Sequence, residues 1–147
     1  MRIETREVKG QPLTVVIEYP EWSESVESLY KKIGRMDLSF TGKCDDRSVN
    51  IGISDIFYIE NVERKLFLYT RDEVYRFDGT MADIENNMYD TGLVRISRTC
   101  IMNTDRLKEI RQIKNSHLEA VLDNDEKLIV SRKYLADIKK IFKRKTL

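Results

Sequence analysis

No stretch of this 147-residue chain approaches the ~18 consecutive apolar residues of a membrane span, and its start, MRIETREVKG, lacks the hydrophobic region of a secretion signal. A cytoplasmic protein is expected. Cysteine is scarce as well: Cys44 and Cys100 lie far apart without CxxC spacing, which excludes a disulfide framework and the usual zinc-ligand pattern. They read as ordinary half-buried thiols, with no feature that marks a redox pair.

The motifs of catalysis are also missing. There is no GxGxxG, no GxxxxGK[ST] and no GxSxG, and the sole histidine, His117, has no HExxH context. In NSHLEAVL it stands beside a turn and before a strand, the place of a surface or loop histidine rather than a general base. The acidic pairs Asp45-Asp46 and Asp72-Glu73 fall in expected loops, where solvation accounts for them. These absences predict no catalytic residue, no metal site and no cofactor.

What is present is a foldable chain. A hydrophobic fraction of 41% beside 35% charged residues suits one core with a short appendage and is too apolar for a disordered chain. Charge is unevenly divided. Residues 1–94 carry 12 Lys/Arg against 18 Asp/Glu, net −6, and residues 95–147 carry 14 against 7, net +7. Such a division is the footprint of a polyanion-binding surface, or of a merely solvated basic tail, KKIFKRK.

IETREV and LTVVIEY, separated by Gly10 and Pro12, read as two strands. In EWSESVESLYKKI, Val26, Leu29, Tyr30 and Ile33 recur at helical spacing, with Gly34 at the end. Near Gly34–Met36 the period changes to alternation. SVNIGISDIFYIE sets Val49, Ile51 and Ile53 on one face, and KLFLYT and EVYRF continue as strands around a hairpin loop at Arg71–Glu73. A short helix is expected to start at Thr80, capped with Asp83, using Met81, Ile84 and Met88, and to end by Asn86–Asn87. LVRIS, LKEIRQI, HLEAVL and KLIVS return to strands. Ser131 can cap a last helix with the stripe Tyr134, Leu135, Ile138, Ile141 and Phe142.

Basic residues then stand out at three separated loops: Arg64 and Lys65 in ENVERKLF, Arg98 after LVRIS, and Arg132 and Lys133 after Ser131. Each alone reads as a solvated charge. Together they can follow a phosphate backbone and reach base edges. Two other classes stay open on the residues alone: a protein-interaction module that meets an acidic partner without DNA, and a single-strand or RNA binder using the aromatics of YRF, FYIE and LFLYT.

Four blocks in order, DIFYIENVERKLFLYT, ADIENNM, LVRISRTCIMN and LEAVLDNDEKLIVSRKY, carry a resemblance to the LytTR family of bacterial DNA-binding output domains. The resemblance covers residues 37–147 and leaves residues 1–36 as an N-terminal extension, a dimerisation or regulatory segment. It implies a mainly β fold of elongated antiparallel sheets with short helices, here with a small N-terminal α/β extension. It also implies double-stranded promoter DNA as partner, with loops rather than a recognition helix in successive major grooves. Carried over by position, the DNA-contacting residues are Arg64, Lys65 and Leu66, then Ser97, Arg98 and Thr99, then Arg132 and Lys133. Leu66 either touches a thymine methyl or packs. Residues 1–36 resemble the start of a stand-alone subgroup without a receiver domain, which implies a small membrane protein as restraining partner; because one such domain contacts a limited stretch of DNA, a homodimer on two half-sites is expected. The chain departs from the family at Asn124-Asp125, where Asn-Gly is usual; the turn must then be left-handed at Asp125 or a neighbour, or be a longer loop.

Overall fold

A computed structural model describes residues 1–34, 36, 38–88, 91–114 and 117–145, without the side chains of 144 and 145. Helix α1 (Glu24–Gly34) precedes β1 (Ser39–Cys44), β2 (Arg47–Gly52), β3 (Tyr58–Val62), β4 (Lys65–Tyr69) and β5 (Val74–Phe77). Helix α2 (Met81–Asn86) leads to β6 (Leu93–Arg95), β7 (Cys100–Asn103), β8 (Leu107–Gln112), β9 (Leu118–Leu122), β10 (Lys127–Val130) and α3 (Leu135–Lys145). Among the described residues the strands form two antiparallel sheets, one ordered β2-β1-β5-β4-β3-β7-β6 and a smaller one ordered β10-β9-β8. The mainly β, antiparallel expectation with few short helices holds.

The large sheet carries a core on each face. On one, Phe40, Ile51, Ile59, Leu66, Leu68 and Ile101 gather around Ile84 of α2; on the other, Tyr58, Cys100 and Met102 meet Leu118, Ala120 and Leu122 of the small sheet and Ile138 of α3. Period-two alternation delivers this division, sending Tyr58 and Ile59, or Met102 and Ile101, to opposite faces. Strand β7 is therefore buried at all four positions and shows no polar face. That is why CIMN gives no alternating signal, although β3 pairs with it directly.

A buried amide ties β7 to the chain before β3. Asn103, 1% exposed, donates from Nδ2 to the carbonyls of Ile53 (3.1 Å) and Ile56 (2.8 Å), and its Oδ1 accepts from the Asp105 N–H. These carbonyls flank a 3-10 turn, Ile53–Asp55, that interrupts the expected strand SVNIGISDIFYIE. Ile53 still reaches the same core as Ile51, with Val49 packed against it.

Several local expectations are met. Thr80 and Asp83 form a reciprocal capping box on α2, which ends at Asn86, and residues 70–73 connect β4 to β5. Asp125 takes φ 66° within the loop 123–126, the left-handed turn demanded where glycine is missing. Two expectations are corrected. IETREV and LTVVIEY form no strand: residues 1–23 run without a ladder, reversed only by a turn at Gly10 (φ 79°). Strand propensity needs a partner edge, and a lone two-stranded hairpin is marginal in water. The N-terminal extension is thus helical only. Ser131 does not cap α3 with its side chain, because a 3-10 turn, Arg132–Tyr134, intervenes. The expected loop Lys114–Ser116 lies partly outside the described residues.

Two predictions follow from this core. Replacing Asn103 by Ala leaves the Ile56 carbonyl without its side-chain donor, while the Ile53 carbonyl keeps the Ile56 N–H (3.1 Å), and should cost about 1–3 kcal/mol in urea unfolding; a loss below about 0.5 kcal/mol would show that the amide is no clamp. Burial pushes the Cys100 thiol up to about 12, while Cys44 is only half-buried. At pH 8 a thiol reagent should modify Cys44 in the native protein and reach Cys100 only after unfolding; equal native rates would contradict the assigned burial.

Candidate nucleic-acid interface

The first basic loop is the two-residue turn Glu63-Arg64, closed by the pair Val62 and Lys65. Both turn residues have positive φ, 52° and 67°, the shape that joins twisted strands and ordinarily uses Asn-Gly. With side chains present, the left-handed conformation costs roughly 1–2 kcal/mol per residue. The turn presents Arg64 and Lys65 to solvent. Leu66, next along β4, points the opposite way and is 2% exposed in the core, so of its two readings packing is the one observed.

The second loop, residues 96–99, joins β6 to β7. The N–H groups of Ile96 and Ser97 both donate to the Cys100 carbonyl (3.0 and 3.3 Å), and the Ser97 hydroxyl accepts from the Thr99 N–H (3.2 Å). This compact turn is held from both sides. Asn61 of β3 donates its N–H to the Thr99 carbonyl (2.8 Å), and Ser131 donates its own to the Ile96 carbonyl (2.8 Å). The second loop is therefore tethered to the strand leading into the first and to the residue opening the third. Three stretches far apart in sequence become neighbours.

Arg95, at the end of β6, organises the second loop. Its Nε donates to the Ser97 carbonyl at 3.0 Å, and its guanidinium also reaches the Arg98 carbonyl and the Glu85 carboxylate of α2. Only the parity of Arg95 with Leu93 in LVRIS, an arginine on an apolar face, hinted at this in the sequence. With the loop so held, Arg98 and Thr99 are exposed and Ser97 is half-buried.

In the third loop Arg132 and Lys133 lie on the 3-10 turn ahead of α3, both exposed, with Lys133 Nζ 5.6 Å from the Tyr134 ring centre. Arg98 and Lys133 line one open cavity of about 680 Å³ with Glu85, Arg95, Ser131 and Tyr134. The structure thus joins the second and third basic loops across a single depression.

Surface charge sharpens the picture. Several cations elsewhere are answered by acids: Arg47 by Glu73, Lys43 and Arg76 by Asp78, Arg71 and Arg106 by Asp123, Lys108 by Asp125, Arg111 by Glu109. Among the described residues no ion pair engages Arg64, Lys65, Arg98 or Lys133.

The residues set aside as non-catalytic fit structural roles. Asp45 and Asp46 turn the β1–β2 hairpin, and Glu73 accepts from the Tyr75 hydroxyl. That hydrogen bond, then Arg47, holds its carboxyl below the usual range. His117 directly precedes β9, half-buried, and its Nδ1 has no partner among the described residues. No cluster of three or more His, Cys, Asp or Glu able to hold a metal occurs among the described residues.

Comparison with known proteins agrees with this architecture. The sensory transduction protein LytT of Enterococcus faecalis is 30% identical over 95 residues, covering 65% of this chain and 39% of that protein. The transcriptional regulatory protein YpdB of Escherichia coli is 26% identical over 98 residues, covering 66% and 40%. This chain spans about two fifths of the length of the curated relatives it matches. A solved LytTr DNA-binding domain from Bacillus cereus shares the fold with a TM-score of 0.65 at 22% identity, over 71% of this chain and 95% of that one. The profile of the LytTr DNA-binding domain matches residues 46–143, and this chain belongs to that family.

Proposed function

We propose that this chain is a transcription regulator that binds promoter DNA site-specifically, laying its three basic loops into the major groove and along the flanking phosphates. The observation that carries this reading is the tethering of loop 96–99 between the other two by the Asn61–Thr99 and Ser131–Ile96 hydrogen bonds, with exposed cations on each side. Phosphate neutralisation supplies affinity, and arginines on rigid turns supply base readout. Arg98 and Arg132 are suited to bidentate contact with guanine. Arg64, Lys65 and Lys133 add charge, Ser97 and Thr99 add short polar contacts, and Leu66 supports the first loop from the core.

The aromatics that suggested single-strand stacking support duplex binding by their placement. Phe57 and Tyr58 are buried, and Tyr58 stacks on Tyr69 across the β3–β4 pair at 4.2 Å, so these rings serve the core. The same reading includes two copies on two half-sites, residence in the cytoplasm and restraint by a small membrane protein. No helix of the described residues is long and apolar enough to cross a membrane.

The test is a salt titration on specific and random duplexes, after a folding check. Arg98→Ala and Arg132→Ala should each cost about 1–3 kcal/mol on the specific site and much less on random DNA. Lys139→Ala, on the exposed side of α3, should weaken both alike and lower the salt slope by about one unit at most. Equal losses on both DNAs for the arginine variants would make them phosphate contacts, and uniform weak binding by the parent would favour an interaction module. A second experiment uses the strained turn. Glu63→Asn with Arg64→Gly should raise unfolding free energy by about 1–2 kcal/mol while weakening DNA binding. Unchanged binding would remove the first loop from the interface.

A further inference from the structure

The segment before β1 carries much exposed apolar surface, and the α1 stripe within it is only partly covered, with Val26, Leu29 and Ile33 half-buried and Tyr30 exposed. Among the described residues, ten of the fourteen exposed large hydrophobic side chains fall within residues 1–36, including Leu13 at 97% and Tyr30 at 63% exposure. Helix α1 buries no residue, and neither core contains a residue before Phe40. So concentrated a patch marks an interaction surface.

The pattern of α1 names its occupant. Its stripe, Val26, Leu29, Tyr30 and Ile33, reads the same from either end about a point between Leu29 and Tyr30. Its acids, Glu24 and Glu27, sit in the first turn and its bases, Lys31 and Lys32, in the last. Laid antiparallel on a second copy, α1 sets Val26 level with Ile33 of that copy, Leu29 with Tyr30, and Glu27 with Lys32. Every apolar position then meets an apolar one, and each acid at the seam meets a base. A parallel arrangement would set acid on acid and base on base. This self-complementarity is what an isologous two-fold interface requires.

We infer that α1 pairs antiparallel with α1 of a second copy, forming a two-fold dimer through residues 1–36. Eleven residues make a helix of only about 16 Å, marginal alone and short of the roughly 800 Å² per partner of a stable interface. The preceding segment supplies the remainder, with Ile3, Leu13, Val15 and Val16 exposed and its backbone outside any ladder. Residues 1–34 carry five Lys/Arg and six Asp/Glu, so two copies meet without net repulsion. The dimer would present two sets of loops to paired half-sites. Only that consequence rests on the DNA reading, and the test below contains no DNA.

Sedimentation velocity of the full chain across the micromolar range should show a concentration-dependent dimer. Leu29→Asp should leave a monomer that keeps the β-sheet circular dichroism of the parent and loses only the concentration dependence of melting, since Leu29 belongs to neither core. Glu27→Lys and Lys32→Glu alone should each weaken dimerisation about tenfold, because two-fold symmetry doubles the repulsion. An equimolar mixture of the two should restore it, since opposite charges again face each other. A parent that stays monomeric overturns the inference. So does a dimer that survives Leu29→Asp, or charge variants that the mixture does not rescue.

Discussion

Strand β7 is buried on both faces, and the candidate interface depends on that constraint. Ile101 belongs to the core under α2, while Cys100 and Met102 belong to the core shared with the small sheet and α3. A strand gripped from both sides holds its ends still. At one end Asn103 satisfies carbonyls on either side of the Ile53–Asp55 turn; at the other, the Cys100 carbonyl accepts the two N–H groups that shape loop 96–99. The rigidity of the basic loop is inherited from the most buried part of the molecule.

That loop is also where polar satisfaction and positioning coincide. Arg95 spends its donors on two carbonyls of the loop and a carboxylate of α2, so the turn is cross-linked to both the sheet and the helix. Side chains on a framework of this kind lose little further entropy on meeting a ligand. The strained Glu63-Arg64 turn fits the same logic, since a left-handed arginine persists only where the flanking β3–β4 ladder imposes it.

Net charge is a poor guide to this surface, because many of the cations counted in the sequence are paired locally with acids. Asp78 and Asp123 each sit between two bases, so four cations share two carboxylates. At the loops that meet around residues 96–99, no ion pair among the described residues engages Arg64, Lys65, Arg98 or Lys133. Which cations have an acid beside them is decided by tertiary contact rather than by position in the basic C-terminal third.

The sequence by itself determined the strands with one wet face, the Thr80–Asp83 cap, the hairpin loops, the helix stripes and the cationic loop residues. In each case the determining physics is local: a period of two or 3.6, a side chain that satisfies a nearby N–H, a turn that needs a particular φ. It also exposed the family, through four blocks in order. Only the tertiary structure decided the rest. CIMN has no polar face to alternate with, so its role as a central strand emerged from its neighbours; IETREV and LTVVIEY have strand composition yet find no edge to pair with. Leu66 packs because strand parity turns it inward. Arg95 ties a loop whose acceptors include a residue on another element. Which cations stay unpaired, and which loops stand side by side, depends on contacts between residues dozens of positions apart, and local periodicity carries no information about those.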